Sequence, residues 1–277
     1  MVPETDIIPG PRNAHTEPAT NSVAVATASR REKNKSRPQV FAKIRSIESL
    51  TALEVERMYQ LMQLYYENVE PEQFKADLLE KDDVILLHDK EFKTIQGFST
   101  ILKVPMTVNN KQLIGVYSGD TVLNKAYWGT AALGITFLRY LWQVKVANLS
   151  KPIYWFLISK GYKTYLIMAN NFPTHYPRYE QETPGRLKAI MNSFYSKKFG
   201  GNYIPHEDLI HFDKPSAHLR ENIAALTEEQ LRLPRVKFFQ EKNPQWNKGD
   251  ELTCIAEMTL FMPLFYSIKK MIKGFLR

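Results

Sequence analysis

Few residues of this chain have both the type and the setting for chemistry. Asp120 stands in Ser118-Gly119-Asp120-Thr121 at the end of an apolar stretch. A carboxylate there can take a proton from an attacking amine, directly or through water. The same four residues also read as a strand bulge whose Asp caps nearby N–H groups. Tyr162 and Tyr165 follow another apolar run, where aromatic core packing is the plainer reading. Lys160 and Lys163 flank the same turn and could meet a phosphate, a carboxylate or only solvent. His175, Tyr176 and Arg178 share one aromatic loop. The histidine could serve as a base near neutral pH. The arginine could grip a substrate carboxylate with two parallel hydrogen bonds, Tyr176 beside it. A purely structural loop fits the same residues. The fourth candidate is the turn Gly129-Thr130-Ala131-Ala132, with Lys125 just before it. Small residues ahead of a helix let an anion approach the free N–H groups of its first turn.

The remaining reactive types are weaker. Cys254 is the single cysteine, so an internal disulfide and a multi-cysteine zinc site are both excluded. It lies in an apolar run with no histidine close by, which suits a buried thiol. His206, His211 and His218 are scattered among acids at spacings that match no metal-ligand pattern on one helix, so no metal is expected.

These residues need elements to position them. Hydrophobic residues make up 44% of the chain and charged ones 24%, a mix that excludes a wholly disordered chain or a coiled-coil rod. Residues 1–37, rich in Pro, Thr, Ala and Ser, predict a disordered tail without a signal peptide. Order is expected from about Val40. Apolar spacing predicts a helix over 49–69, and Pro71 opens a second. A strand follows at 84–88, then a long hairpin over 94–122 that turns at Asn109-Asn110-Lys111. After the glycine turn, an apolar helix over 131–146 should be largely buried. Residues 153–158 are apolar on both faces, which suits a central strand. Short helices are expected over 162–169, from Pro184 to Phe199 and near 226–231, and a last strand over 251–257.

Residues 47–200 resemble the GCN5-related N-acetyltransferase (GNAT) superfamily. Its element order is the one just read: two helices, a hairpin of long strands, a glycine turn, a buried helix, a strand and another helix. The family writes the turn Gln/Arg-x-x-Gly-x-Gly/Ala, and here it reads Ala126-Tyr127-Trp128-Gly129-Thr130-Ala131. Gly129 and Ala131 match, while Ala126 replaces the long polar residue and Lys125 stands one place early. Trp155 to Tyr165 and Asn243 to Leu252 also look like bacterial GNAT-like proteins.

The resemblance implies an α/β (α+β) domain over 38–260 with a GNAT-like, mixed, mainly antiparallel sheet flanked by helices. It implies acyl transfer from acyl-CoA to the amine of a small molecule, with no tightly bound cofactor. Gly129, Thr130, Ala131, Ala132 and Lys125 would bind the donor, Asp120 would take the amine's proton, and Tyr162 would act as general acid. His175 is a further candidate base. The change at Ala126 leaves room for an acyl carrier protein as donor, or for a scaffold that binds without catalysis.

Charge narrows the partners. The net charge is +8, of which residues 1–37 carry +2 and residues 261–277 carry +4. The span 38–260 is left near neutral, which disfavours nucleic acid. Residues 261–277 repeat bulky apolar residues at helical spacing beside Lys269, Lys270, Lys273 and Arg277. Such a basic amphipathic helix suits an anionic membrane surface, with docking on the protein's own core or a partner as the alternative. The expected location is cytoplasmic, peripheral at the inner face of the membrane.

Overall fold

The computed structural model describes residues 38–212, 218–219 and 226–262. The expectations for the tail 1–37 and for a helix beyond Met262 lie outside them. Strand β1 (Val40–Ser46) opens the fold. Helix α1 (Ala52–Gln63) is started by a reciprocal cap between Thr51 and Glu54. It is shorter than its apolar spacing predicts, because Tyr65 and Tyr66 leave the helix. Tyr66–Glu67 forms the short strand β2, paired with β10 (His218–Leu219). Helix α2 (Pro71–Leu79) begins on its proline.

Strands β3 (Asp83–Asp89), β4 (Ile95–Val108) and β5 (Lys111–Leu123) form an antiparallel meander. The two-residue turn between β4 and β5 places Asn109 and Asn110 at φ 50° and 60°. Asparagine tolerates that left-handed backbone, so the hairpin register follows from the sequence. Helix α3 (Ala132–Ala147) leads to β6 (Ile153–Ser159), which lies parallel to β5. Helix α4 (Tyr162–Asn171), the short strand β7 (His175–Tyr176) and helix α5 (Gly185–Phe199) follow. Then come β8 (Tyr203–Ile204), β9 (Leu209–Ile210), α6 (Glu228–Leu231), α7 (Pro234–Lys242) and β11 (Glu251–Met258).

One nine-stranded sheet runs β1-β3-β4-β5-β6-β11-β9-β8, with β7 also on β11. Every pair is antiparallel except β5–β6. The mixed, mainly antiparallel sheet expected from the sequence is therefore present. Two sets of helices cover it. On one face α3, α4 and α7 pack Leu133, Phe137, Tyr165 and Phe239 against Val116, Trp155 and Leu157. On the other, α1 and α2 cover Leu86 and Phe98, while α5 covers Tyr117, Phe156 and Ile255.

Three expectations need correction. Helix α3 is buried on one side only, through Leu133, Phe137, Tyr140 and Leu141, and exposes Ile135, Trp142 and Val146. Apolar residues all round a helix did not require a neighbour on every side. Strand β1 pairs along its whole length with β3, and its half-exposed pattern carried no clean alternation to reveal it. Helix α7 lies in a segment for which the sequence suggests no element, because only Val236 and Phe239 reach the core.

Candidate active site

Strand β5 changes character at Ser118. From Ile114 to Ser118 it pairs with β6, the last pair being Ser118 with Leu157. Beyond that point β5 continues to Leu123 on β4 alone. At the point of separation Thr100 of β4 faces two residues of β5, Gly119 and Asp120, because the register slips between Ser99 and Ile101. A bulge of this kind bends a strand and re-aims its side chains. Glycine is needed there. A Cβ on Gly119 would lie 2.6 Å from Thr100 Oγ1 and 3.0 Å from Lys81 Cε.

The bulge aims Asp120 at other ionisable groups. Its charge neighbours are Lys160, Lys81 and Asp77. Burial holds its carboxyl above the ordinary aspartate range, with Lys160 and then Lys81 pulling the other way. Asp120 remains partly solvent-accessible, so water moderates the effect. Glu251, at the start of β11, is buried and also raised, first by burial, while Lys160 opposes the shift. Lys160 Nζ sits 3.3 Å from Glu251 Oε1 and 5.4 Å from the centre of the Tyr66 ring. Burial, then the charges of Asp120 and Glu251, keep the Tyr66 phenol protonated. Lys81 lies beneath, its ammonium donating to the Asp77 carbonyl at 2.6 Å. Two carboxylates, two ammonium groups and a phenol thus line one side of the opening.

The other side is the glycine turn. Gly129 has φ +83°, and nothing lies within 4 Å of the place a Cβ would take. The space beside Gly134, in the first turn of α3, is equally open. The cap residue Ala131 offers no side-chain hydrogen bond, and the first turn holds no acid. The Ala132 N–H reaches Thr130 Oγ1 at 3.4 Å, and the positive end of the helix dipole faces an open space. Tyr65 fixes the turn by accepting the Lys125 N–H at its hydroxyl, and Trp128 Nε1 donates to the Leu123 carbonyl at 2.8 Å. Lys163, on the first turn of α4, places Nζ 5.2 Å from the Trp128 ring centre and 5.9 Å from that of Tyr162. The starts of α3 and α4 therefore meet at the same end of the sheet.

The structure brings some sequence candidates together and separates others. Gly129, Thr130, Ala131 and Ala132 shape the start of α3, with Lys125 just before the turn. Tyr162 opens α4 and is buried, which raises its pKa. It belongs to the face covered by α3 and α4, whereas Asp120 looks toward α2, and the gap between β5 and β6 lies between them. His175 is elsewhere. It pairs with Ala256 of β11, which pairs with Trp155 of β6, which pairs with Val116 of β5. Three strand spacings put it roughly 14 Å from Val116 across the sheet, and Asp120 is four residues farther along. His175 Nδ1 donates to the Phe172 carbonyl at 2.7 Å, Nε2 is buried without a partner, and burial favours the neutral ring. Tyr176 is buried beside it, its hydroxyl bonded to Gln181. Arg178 is held by Glu180 at 3.0 Å and by the Pro173 carbonyl at 3.2 Å. These three shape a loop, and their partners are protein groups.

Sequence reasoning missed Glu251, Tyr66 and Lys81. Glu251 carried a usable signal: it takes the inward-facing register of Thr253 and Ile255 in an otherwise apolar strand. Tyr66 carried none, since apolar spacing had absorbed it into α1.

Two helices, a hairpin of long strands, a glycine turn into a helix, a strand and another helix appear here in the order the sequence resemblance implied. The arrangement is GNAT-like. No family model matches the chain, and no curated protein matches it. Among solved structures, a conserved protein of unknown function from Enterococcus faecalis is 11% identical over 50% of this chain and 33% of that chain, with a TM-score of 0.37. A GNAT family N-acetyltransferase from Escherichia coli, in complex with CoA, is 17% identical over 44% of this chain and 65% of that one, with a TM-score of 0.32. An acyl-CoA N-acyltransferase from Pseudomonas aeruginosa is 15% identical over 49% of this chain and 90% of that one, at 0.36. The chain thus spans about a third of the first relative's length and just under two thirds of the second's.

Proposed function

We propose that this protein is an N-acyltransferase that moves an acyl group from a coenzyme A thioester to an amine of a small molecule. One observation carries the reading: β5 and β6 part at the residue before the Gly119-Asp120 bulge, and a helix N-terminus with no acid in its first turn stands at the end of the opening. A thioester on a pantetheine arm fits a slot between parted strands, where backbone edges are left unpaired. Its diphosphate would lie against the N–H groups at the start of α3, with Lys125 and Lys163 near.

The residues divide the work. Asp120 takes the proton from the attacking ammonium, so that a lone pair is free. Lys160 lowers the cost of holding that carboxylate ionised in a buried place. The Tyr162 phenol, whose pKa burial raises, would give its proton to the departing sulfur. The glycine turn contributes alignment, which is worth several kcal/mol when reacting atoms are held close, of order 7–11 in well-oriented model systems. Ala126 leaves the turn without a long polar side chain, so an acidic acyl carrier protein is a second candidate donor.

Thermal melting in the presence of acetyl-CoA, long-chain acyl-CoA and acyl carrier protein tests the reading. A ligand at a hundred times its dissociation constant stabilises the fold by about 2.7 kcal/mol, which raises the midpoint. Release of free thiol with a panel of amines should follow. A midpoint unmoved by every donor would leave a GNAT-like scaffold that binds something else.

A further inference from the structure

The outward side of α3 is apolar. Ile135, Trp142 and Val146 are 42%, 39% and 42% exposed. With Arg139 they fall within about 60° of arc at 100° per residue, one narrow stripe along the helix. Leu149 extends the stripe past the helix end and is 62% exposed. The chain leaves the sheet beside it. Met258, the last residue of β11, pairs with Ile153, which follows directly on the α3–β6 connection. Met258 and Met262 are buried in the same core as α3, while Leu260 and Phe261 between them point out, Phe261 at 75% exposure.

The two chain segments that carry this patch are basic in sequence. From Thr121 to Tyr179 the sequence holds seven Lys and Arg and no Asp or Glu. From Met258 to the last residue it holds four Lys and Arg and again no acid. The acids of the chain lie on other elements. A tryptophan among aliphatic residues, with an arginine and no carboxylate in the stripe itself, has the composition of a surface that meets headgroups; Asp83, which accepts from the Tyr140 hydroxyl, meets the helix on its buried side. A protein partner or a second copy of this chain would give no reason to exclude acids so completely.

We infer that the outer stripe of α3, with Leu149, Leu260 and Phe261, seats on an anionic phospholipid surface. Trp142, Val146 and Phe261 enter the headgroup boundary, and Arg139 reaches back to phosphate. This inference does not depend on the acyltransferase reading, since the stripe faces away from Asp120 and the bulge.

Vesicle co-sedimentation of the full chain tests it. The chain should pellet with an equal mixture of phosphatidylcholine and phosphatidylglycerol, and the binding should weaken as salt is raised. Trp142→Glu with Val146→Glu should weaken binding on the order of a hundredfold, because two apolar insertions are lost and two repelled charges gained. Leu53→Glu, at an exposed apolar position on α1, should bind as the parent does and controls for generic charge effects. Circular dichroism should show both variants folded. No pelleting with the anionic vesicles would overturn the inference, and so would equal pelleting by the Trp142/Val146 variant. Light scattering supplies a third arm. A dimer that the Trp142/Val146 variant dissolves, in a chain that ignores vesicles, would make the stripe a contact between copies and sink the lipid assignment.

Discussion

The two halves of strand β5 differ in what they do. Residues 114–118 are laddered on both sides, to β4 and to β6, and their side chains enter apolar cores on both faces. Residues 119–123 keep β4 and lose β6. In the laddered half the strand is paired on both edges, and Trp155 Nε1 donates to Ser118 Oγ at 2.8 Å. In the freed half the ladder gives way to a bulge, a glycine and a carboxylate. Stability comes from satisfied backbone, and reactivity needs backbone and charge left available. The fold places both on one strand by ending a single pairing early. Just below the break, Tyr195 clamps β6 to β11: its hydroxyl accepts from Leu157 N at 3.1 Å and donates to the Cys254 carbonyl at 2.7 Å.

The largest effect that would break this contrast is at Asp120. Asp120→Asn should lower kcat/KM by about 10²–10⁴, the usual worth of a positioned base. The same variant should be no less stable. Burial raises the carboxyl's folded pKa, so its ionised form costs stability above that pKa. The variant should therefore melt higher at pH 8, and the gap should close as pH falls from the folded pKa toward the ordinary aspartate value. Equal activity of the variant would remove the freed half from catalysis.

Gly129→Glu comes next. It puts a side chain at φ +83° and a carboxylate where an anion should lie, so the donor-induced rise in melting midpoint should vanish while the fold persists. A full shift in this variant would place the donor elsewhere. The laddered half is probed by Tyr195→Phe, which leaves buried backbone groups of Leu157 and Cys254 short of a partner. Each such group costs about 1–3 kcal/mol, so the midpoint should fall by several degrees with the donor-induced shift retained. The smallest effect sharpens the electrostatics. Lys160→Met removes a cation that favours the ionised Asp120, so the acid limb of the kcat/KM profile should move to higher pH. A limb that stays in place would mean that Lys160 serves Glu251 alone.

Much of the fold was legible because its signals are local. Asn109-Asn110 sets a hairpin by backbone preference, the unbroken apolar run 153–158 marks a strand covered on both faces, and Gly129 marks a turn with positive φ. Asp120 was readable as a bulge residue from the Gly beside it. The site was only half legible. His175, Tyr176 and Arg178 looked like one reactive loop, and the structure occupies them with Phe172, Gln181 and Glu180.

The sequence by itself determined most of the central strands and helices, where the long hairpin turns, and that a small-residue turn precedes an apolar helix, while β1 and α7 escaped it. These follow from side-chain periodicity and local backbone preference, which act over a few residues. Tertiary structure alone decided that β11 lies against β6, that β6 leaves β5 after Ser118, and that Tyr66, Lys160 and Glu251 converge on Asp120. Strand order depends on the balance of long-range burial over the whole sheet, and no spacing in the sequence records where a ladder stops.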